Sequence, residues 1–506
     1  GYWFIIIQNC RKGLMCVSGN SMLLFPVIFP IIAGLIFLTV KGQKQQQIYI
    51  VSVIFLEALI AIYLCVTKSD SFTFWHMNKN VFILLQTDKL SQFFVCLMNI
   101  IWCFAAVFSQ EYMKHEQNTK RFFTFFIMTL GALNGLAFSG NFFTLYLFYE
   151  MMTLLTVPFV IHSGTEEATK AAMKYLGYSI FGAGLALLGA FFLNYYCDSI
   201  TFTAGGTLNA SLISGNENTL LVIFLIMMIG FGCKTGMWPL HGWLPTAHPV
   251  APSPASAVLS GIITKGGVLA IIRVAYYLFG AEFLKDTWVQ KIMLALAVFT
   301  VFMGSMLAYK ERLLKKRLAY STVSQVSYVL FGLMLFSPLG FCGALLQIIF
   351  HAVAKNILFF TAGAIIYKTG KTFVNELKGI GKEMPVVMWS FAIASLSLVG
   401  IPPTSGFVSK WFLAQGGLSA NYATLGLLGT SVLMISALLT AGYLLPIVAD
   451  AFFPGRAEEY YHRESKEPNY LMTAPLCILS VFAVVFGMFP NGMINHIMQI
   501  SYSIFR

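Results

Sequence analysis

Long runs of hydrophobic residues, separated by short polar segments, recur along almost the whole chain. A helix that crosses a bilayer needs about 20 mainly apolar residues, and about fourteen runs approach or exceed that length. They lie near residues 22–40, 48–66, 89–110, 121–139, 142–162, 175–197, 220–240, 254–279, 288–308, 318–336, 340–367, 386–413, 424–452 and 470–489. Residues 1–21 do not fit this pattern, and we interpret them as an N-terminal extension. The pattern predicts an all-α integral membrane protein with about 14 transmembrane helices.

The amino-acid composition agrees with this prediction and excludes a soluble protein. Hydrophobic residues make up 58% of the 506 residues, charged residues make up only 10%, and the mean hydropathy is +0.76. An average soluble domain carries about 25% charged residues. The same values exclude intrinsic disorder, a collagen-like repeat and a secreted disulfide scaffold. We therefore expect a single body embedded in lipid.

The distribution of positive charge predicts how the chain is oriented in the membrane. The formal net charge is +12, and the Lys and Arg residues outside the spans concentrate in the odd-numbered loops, such as residues 309–317. Cytoplasmic loops carry such an excess, so we expect these loops in the cytoplasm and both termini outside. The basic excess thus reflects topology in a lipid bilayer, and we expect no nucleic-acid partner.

Ionisable side chains inside the predicted spans give the strongest indication of function. A cation at the bilayer centre costs about 2.5–3.5 kcal/mol, so four lysines there cost on the order of 10 kcal/mol. Residues of this kind usually mark an ion pathway. The spans contain Glu57, Glu150, Lys234, Lys265, Arg273, His351, Lys355 and Lys410.

Each of these residues also has a structural alternative. A buried Glu–Lys pair or a hydrogen-bonded core histidine needs no role in transport, and Arg273 can extend toward the outer interface of the membrane. His351 and Lys355 are four residues apart, however, and so lie on one helical face. One Glu and four Lys in the middle spans together favour an ion pathway over packing.

Two spans carry similar interruptions close to a lysine. In the seventh, Pro239 follows Lys234, and in the twelfth, Pro402 and Pro403 precede Lys410. Proline removes a helical hydrogen bond, so we expect both helices to break within the membrane. Corresponding breaks in two halves indicate a transport site between inverted repeats. The predicted organisation is three N-terminal spans (22–120), two inverted five-helix repeats comprising spans 4–8 (121–279) and 9–13 (280–452), and a cytoplasmic loop with the last span (453–506).

The most specific segment of the chain is GFGCKTGMWPLHGWLPTAHPVAPSPASAVLSGIITKGGVLAIIR at 230–273. This segment and several others resemble the antiporter-like, proton-translocating membrane subunits of complex I, of Mrp-type cation/proton antiporters and of membrane-bound energy-converting hydrogenases. Within the family, ITKGGVLAIIR and GIPPTSGFVSK are most similar to the Mrp D subunit and its hydrogenase-associated relatives. Further matching segments are SGNFFTLYLFYE (139–150), AAMKYLGYSIFGAG (171–184), LAYSTVSQVSYVLFG (318–332), FHAVAKNILFFTAGAI (350–365) and GIPPTSGFVSK (400–410).

The resemblance implies a charged axis through the membrane centre. Glu150 is similar to the family's gating carboxylate, which pairs with Lys234, and Lys265 is similar to its central lysine. His351 and Lys355 would lead onward to a terminal Lys410. The family's loop histidines, near the cytoplasmic side of the break, correspond to His241 and His248.

Three positions depart from the family pattern or have no place in it. Tyr149 stands where Trp is common before the gating carboxylate, and it preserves the bulk. Gln347 stands where some relatives have a second histidine, which argues against a direct proton transfer there. Glu57 has no counterpart. The resemblance implies no catalytic residue, no metal and no cofactor in this chain.

These observations support one main function and two alternatives. The main hypothesis is a proton-translocating subunit, with sodium as the alternative ion, of a redox-driven complex in a prokaryotic cytoplasmic membrane. Its partners would be other membrane subunits and a soluble iron–sulfur arm, which would carry out the oxidoreduction. The alternative is a component of a Mrp-type antiporter that ion gradients alone drive. A membrane enzyme that uses the buried carboxylate and histidines is disfavoured, since no nucleophile or metal cluster accompanies them.

Overall fold

The computed structural model describes residues 18–67, 70–76, 81–420, 423–455 and 464–505, and most of them are helical. Residues 1–17 of the predicted N-terminal extension lie outside the described residues. The long helices are α1 (Phe25–Phe37), α2 (Gln43–Thr67), α3 (Lys89–Tyr112), α4 (Thr119–Ala137), α5 (Phe142–Val160), α6 (Glu166–Tyr196), α7 (Glu217–Thr235), α8 (Ser253–Phe279, with π-helical turns at Leu259–Ile263 and Ala275–Phe279), α9 (Trp288–Lys310), α10 (Leu314–Met334), α11 (Pro338–Thr369), α12 (Pro385–Val399), α13 (Ser405–Leu418), α14 (Ala423–Phe452), α15 (Tyr470–Met488) and α16 (Asn491–Ile504).

Short helices fill the connections between these long ones. They are the 3₁₀ segments Ser21–Leu24, Met113–His115 and Val374–Leu377, and the α-helices Ala210–Ile213, Leu244–Val250, Ala281–Leu284 and Ile380–Glu383.

The prediction that the protein is entirely α-helical is wrong at one end of the bundle. Three antiparallel strands, β1 (Ser18–Gly19), β2 (Ser71–His76) and β3 (Phe82–Gln86), form a small sheet in the order β1–β2–β3. Strands β2 and β3 follow α2 and precede α3, and their β-branched and aromatic residues favour strands. Each strand is too short to cross a membrane, so the pattern of apolar runs of about 20 residues does not reveal it.

Length and composition allow many of the helices to cross a membrane. Within the described ranges, ten helices are long and apolar enough to do so, and two shorter apolar helices are Ser21–Phe37 and Pro385–Val399. Large hydrophobic side chains on the outside, such as Leu59 (68% exposed) and Leu438 (73% exposed), are suited to contact lipid. The observed helices thus support a multi-pass membrane protein. The predicted number of about 14 spans is more specific than these helices establish.

Two helices lie at the centre of the bundle. Every residue in the most apolar part of α8 is buried, as is 94% of the corresponding part of α11. The other helices pack around them, with α10, α12 and α13 next to α11 and with α7 next to α8. The buried ionisable residues of α8 and α11 (Lys265, Arg273, His351 and Lys355) are therefore shielded from lipid by protein.

The two predicted helix interruptions are present. Helix α7 ends at Thr235, where Gly236 adopts φ +78°, and a short helix resumes at Leu244–Val250. Helix α12 ends at Val399, where Gly400 adopts φ +90°, and α13 begins at Ser405. Glycine tolerates positive φ because it lacks a Cβ, and it commonly ends helices in this way. Each break leaves carbonyl groups at a helix end within reach of other side chains.

Candidate ion pathway

Lys234 lies in the last turn of α7, immediately before the break. Its Nζ donates hydrogen bonds to three hydroxyl groups, at 2.8 Å to Thr153, 3.1 Å to Tyr175 and 2.9 Å to Ser179. The ammonium also lies 4.5 Å from the centre of the Tyr175 ring. The side chain is buried, so these hydroxyls and the π face replace water around it.

The predicted partner of Lys234, Glu150, lies on α5 one turn before Thr153. Glu150 is half-buried, and its Oε1 has no hydrogen-bond partner among the described residues. Within the same part of the chain, Glu150 and Lys234 form no direct ion pair, and Lys234 donates instead to Thr153, which lies one turn after Glu150. The structure brings both groups to adjacent helices, so a small displacement of either side chain would alter the charge that Lys234 experiences.

Lys265 and His351 are in direct contact at the bundle centre. The Lys265 Nζ lies 2.6 Å from the His351 Nδ1 and donates to the Ser260 carbonyl at 2.7 Å. Ser260 belongs to the π-helical turn of α8, and such turns often occur at functional sites. The His351 Nε2 has no partner within the described ranges. A proton can therefore be shared between two nitrogen bases on helices α8 and α11.

Lys355 is one turn beyond His351 on α11, as the spacing predicts. It is fully buried, and its Nζ donates to the Leu318 carbonyl of α10 at 2.9 Å. The Leu318 carbonyl also accepts from the Thr322 hydroxyl at 3.0 Å. Within the part of the chain that the structure describes, no carboxylate forms an ion pair with Lys265, Lys355 or Lys410.

A polar bridge that was not predicted from the sequence connects α11 to α13, the helix that carries Lys410. Gln347, one turn before His351, donates to Gln325 at 2.9 Å and accepts from the Ser409 hydroxyl at 2.6 Å. Ser409 directly precedes Lys410. An amide and a hydroxyl thus link α11 to α10 and α13 at the position where a second histidine is missing.

Lys410 lies beside the second break. Its Nζ donates to the carbonyl of Leu398 and, at 2.8 Å, to that of Val399, which are the last residues of α12. The ammonium also lies 5.1 Å from the centre of the Tyr328 ring. Carbonyl groups at a helix C-terminus carry partial negative charge and attract a cation. The break therefore supplies the oxygen atoms that hold this buried lysine.

The two predicted loop histidines occupy different positions near the first break. His241 lies in the turn between α7 and Leu244–Val250 and is half-buried. His248 is fully buried and stacks on the Phe359 ring with 4.9 Å between the ring centres. Neither ring nitrogen of His248 has a hydrogen-bond partner in the described part of the chain. Phe359 is one turn beyond Lys355, so His248 packs against the helix that carries His351 and Lys355.

A polar cavity of ≈ 200 Å³ lies at the end of the bundle nearest His248. Glu116, His162 and Lys315 line it, together with Pro249, Ala251 and Thr372. Lys315 is 6% exposed, and its Nζ donates to the Ala251 carbonyl. None of these three ionisable residues was singled out from the sequence, because each lies in a loop or at a helix end where charge is ordinary.

Burial governs the charge of the two loop residues in this cavity. It lowers the pKa of His162 to about 4, and the nearby Arg121 guanidinium adds to the effect. Burial raises the pKa of Glu116, and Lys315 partly offsets this. The His162 Nε2 lies 3.9 Å from the Glu116 carboxylate. His162 is therefore neutral near pH 7.

The interpretation that Arg273 extends to the membrane interface is wrong. Arg273 is 2% exposed and forms a bidentate pair with Asp88, at 2.5 Å and 3.0 Å. Its guanidinium also donates to Ser91 at 3.1 Å and lies over the Tyr277 ring. Asp88 caps the first turn of α3. The sequence alone could not reveal this pair because its members are separated by 185 positions.

Comparison with known proteins identifies the family. The chain matches the family described as "NADH:quinone oxidoreductase/Mrp antiporter, TM" over residues 139–436, which include every residue of the predicted axis. The chain belongs to this family. The antiporter-family assignment agrees with the resemblance that the motifs indicated, and it makes the chain a multi-pass membrane protein.

Individual relatives extend the antiporter-family match over most of the chain. The N subunit of NADH-quinone oxidoreductase from Desulforudis audaxviator (strain MP104C) is 31% identical over 82% of this chain and 84% of its own. The D subunit of the Na(+)/H(+) antiporter from Bacillus subtilis (strain 168) is 27% identical over 93% of this chain and 94% of its own. In a solved archaeal complex, the membrane-bound sulfane sulfur reductase, one chain has a TM-score of 0.83 at 21% identity, covering 96% of this chain and 98% of its own.

Proposed function

We propose that this chain is the proton-translocating, antiporter-like component of a multi-subunit, redox-driven membrane complex. The single observation that carries the proposal is the row of buried basic groups that runs from Lys234 through Lys265, His351 and Lys355 to Lys410. Burying such groups is costly, and packing alone has no need of them. Carbonyls, hydroxyls and amides surround them, and such groups can relay protons or order water between bases.

The chemistry of the row supports protons as the transported ion. Sodium is a hard cation that is usually held by several oxygen atoms, whereas the groups that can change charge here are nitrogen bases. Glu150 is the one carboxylate that the middle spans of the described chain offer beside the row. The contact between Lys265 and His351 joins two bases that can both exchange a proton. We therefore assign protons to this axis and any sodium to another site.

Further features of the proposal concern architecture and orientation. We propose that the chain has about 14 spans, that spans 4–8 and 9–13 form inverted repeats, and that both termini lie outside. The two helix breaks, each beside a buried lysine, support the repeats. The cavity of Glu116, His162 and Lys315 collects residues from odd-numbered loops, which supports a cytoplasmic opening there.

In this proposal, the energy for proton translocation comes from partner subunits of the complex. Relatives named as subunits of NADH-quinone oxidoreductase and of a Na(+)/H(+) antiporter support a place among other membrane subunits. Gentle purification with analysis of the co-purifying chains separates the two driving forces. Iron–sulfur absorbance and a soluble redox arm support the redox-driven complex, whereas small membrane subunits alone support the gradient-driven alternative.

The test of function is proton translocation by vesicles that contain the assembled complex. We expect Lys234→Ala and Glu150→Ala each to lower translocation by at least about tenfold, equivalent to about 1.4 kcal/mol. The matched control is Lys170→Ala, since Lys170 is 75% exposed and pairs with Glu166 on its own helix. Wild-type translocation in both variants, at equal assembly, would exclude the proposed pathway.

A further inference from the structure

A second buried polar cluster lies among helices α1 to α4, away from the row of lysines. Its centre is Glu57 of α2, which is fully buried. Asn99 of α3 and Asn134 of α4 are also fully buried, and the Pro26 carbonyl of α1 completes the group. We refer to these four residues as the Glu57 cluster. Four helices that enclose one carboxyl group in an apolar bundle need an explanation other than packing.

The hydrogen bonds within the Glu57 cluster leave acceptor atoms unused. The Asn134 Nδ2 donates to the Glu57 Oε1 at 2.7 Å and to the Pro26 carbonyl at 3.3 Å. The Asn99 Nδ2 donates to the Asn134 Oδ1 at 2.7 Å. The Glu57 Oε2 and the Asn99 Oδ1 have no partner among the described residues, although both are buried. Buried polar atoms are nearly always satisfied, so these two indicate a site for a ligand.

Local sequence features expose the Pro26 carbonyl and bring it close to Asn134. Pro30 is four residues later in α1 and has no N–H, so the Pro26 carbonyl lacks its usual helical donor. Gly131 lets α4 approach α1, because a Cβ there would lie 2.5 Å from the Val27 carbonyl oxygen. Asn134 is three residues beyond Gly131. The Pro26 carbonyl and the Glu57 carboxyl group thus both contact the Asn134 amide.

Charge identifies the kind of ligand. Among the described residues, no Lys, Arg or His forms an ion pair with Glu57. A single carboxylate in a dry site is neutralised by one positive charge, whereas a divalent cation would leave an excess charge buried. The available atoms are carboxylate, amide and carbonyl oxygens, which are the ligands of hard cations. A monovalent hard cation satisfies both conditions.

We propose that the Glu57 cluster is a sodium-binding site separate from the proton axis. The Glu57 carboxylate supplies the negative charge, and its Oε2 and the Asn99 Oδ1 are the buried oxygen atoms that, among the described residues, have no other partner and bind Na⁺. The Asn99 Nδ2 donates to the Asn134 Oδ1 at 2.7 Å and to the Val95 carbonyl at 2.9 Å, which fixes the orientation of its amide. Asn134 is a positioning residue in this arrangement, because its Nδ2 holds the Glu57 Oε1.

The experiment measures ²²Na⁺ binding to the purified wild-type complex, and its thermal unfolding in NaCl against choline chloride at equal ionic strength. We expect saturable binding and a rise in Tm that is specific to sodium, because a ligand that binds only the folded state stabilises it. Glu57→Gln, which keeps the side-chain size but removes the charge, is expected to lose both. The matched control is Glu282→Gln, since Glu282 is exposed, and it is expected to retain both.

Two further variants make the test decisive. Asn134→Ala removes the amide that holds both Glu57 and Asn99, and it is expected to weaken sodium binding by at least about tenfold, equivalent to about 1.4 kcal/mol. This variant tests the site even if Glu57→Gln fails to assemble. Lys234→Ala is expected to bind sodium normally, so a failure of the proton pathway and a failure of this site give different results. Wild-type complex without sodium binding would overturn the proposal, as would binding that survives Glu57→Gln.

Discussion

At the scale of single residues, the protein holds its buried lysines mainly by oxygen atoms, and it adds an aromatic ring beside Lys234 and Lys410. Lys234 uses three hydroxyls, Lys355 uses one main-chain carbonyl, and Lys410 uses two carbonyls at the end of α12. Partial charges of this kind stabilise an ammonium group less than a full carboxylate would. A lysine in such surroundings can lose its proton more readily than one in a tight ion pair.

Lys410 provides a test of whether a lysine of the axis carries a proton or serves as a fixed charge. Lys410→Arg keeps the positive charge but cannot release a proton at any physiological pH. We expect Arg to lower proton translocation almost as far as Lys410→Ala does, compared at equal assembly of the complex. If the Arg variant pumps at the wild-type rate, Lys410 is a fixed charge.

At the scale of elements, the two breaks place helix ends inside the bundle. The second break is tightly packed: a Cβ on Gly406 would lie 1.7 Å from the Ser397 carbonyl oxygen, so α13 begins in contact with the last turn of α12. Gly487 of α15 packs on the same loop, where a Cβ would lie 2.0 Å from the Pro403 carbonyl oxygen. Lys410 depends on this packing because its partners are the α12 carbonyls.

Gly406→Ala therefore tests whether the geometry of the break matters. We expect it to destabilise the protein by about 1–3 kcal/mol, as overpacking typically does, and to lower proton translocation by displacing α12 from Lys410. Thermal unfolding and translocation would be measured on the same preparation. Gly492→Ala on α16 is the control, since a Cβ there meets nothing within 4 Å among the described residues. Equal behaviour of the two variants would contradict the importance of the close approach.

At the scale of the whole molecule, buried pairs connect distant parts of the chain. The Arg273–Asp88 pair joins α8, which carries Lys265, to the start of α3 among the N-terminal helices. Burial alone would raise the pKa of Asp88, but the Arg273 guanidinium and the Ser91 hydrogen bonds hold it below its ordinary value. The pair therefore contributes stability at neutral pH that is lost as the pH falls through the lowered pKa of Asp88.

Asp88→Asn is expected to destabilise the complex by about 3–5 kcal/mol near pH 7, because it leaves the Arg273 charge buried and unpaired. The loss should begin to shrink below about pH 3.9, the ordinary pKa of aspartate. It should shrink further as the pH falls through the lower pKa of Asp88 in the folded protein, because the wild-type carboxylate is itself protonated there. Thermal unfolding at a series of pH values measures both effects. A loss that stays constant down to the lowest pH would show that Asp88 acts only through hydrogen bonds.

Hydrophobic periodicity and motif spacing determined much about this protein without a structure. Runs of apolar residues located the long helices, because a membrane span has a required length. Proline positions indicated both helix breaks. Ionisable residues within apolar runs indicated that the lysines and His351 are buried in the bundle. These are local properties, written in consecutive residues. The place of each predicted residue in an ion pathway remains a prediction, and the Glu150, Lys234 and Lys410 variants above test three of them. The predicted residues are Glu150, Lys234, His241, His248, Lys265, His351, Lys355 and Lys410.

Only the tertiary structure decided which side chains meet. The hydroxyls around Lys234, the Gln347–Ser409 bridge and the Arg273–Asp88 pair involve residues far apart in the sequence, so no local pattern reveals them. The same is true of the Glu57 cluster, where four helices each contribute one polar group to a site that no single segment indicates. Ser, Thr, Gln and Asn are also common within helices, and only their packing distinguishes a ligand from an ordinary polar residue.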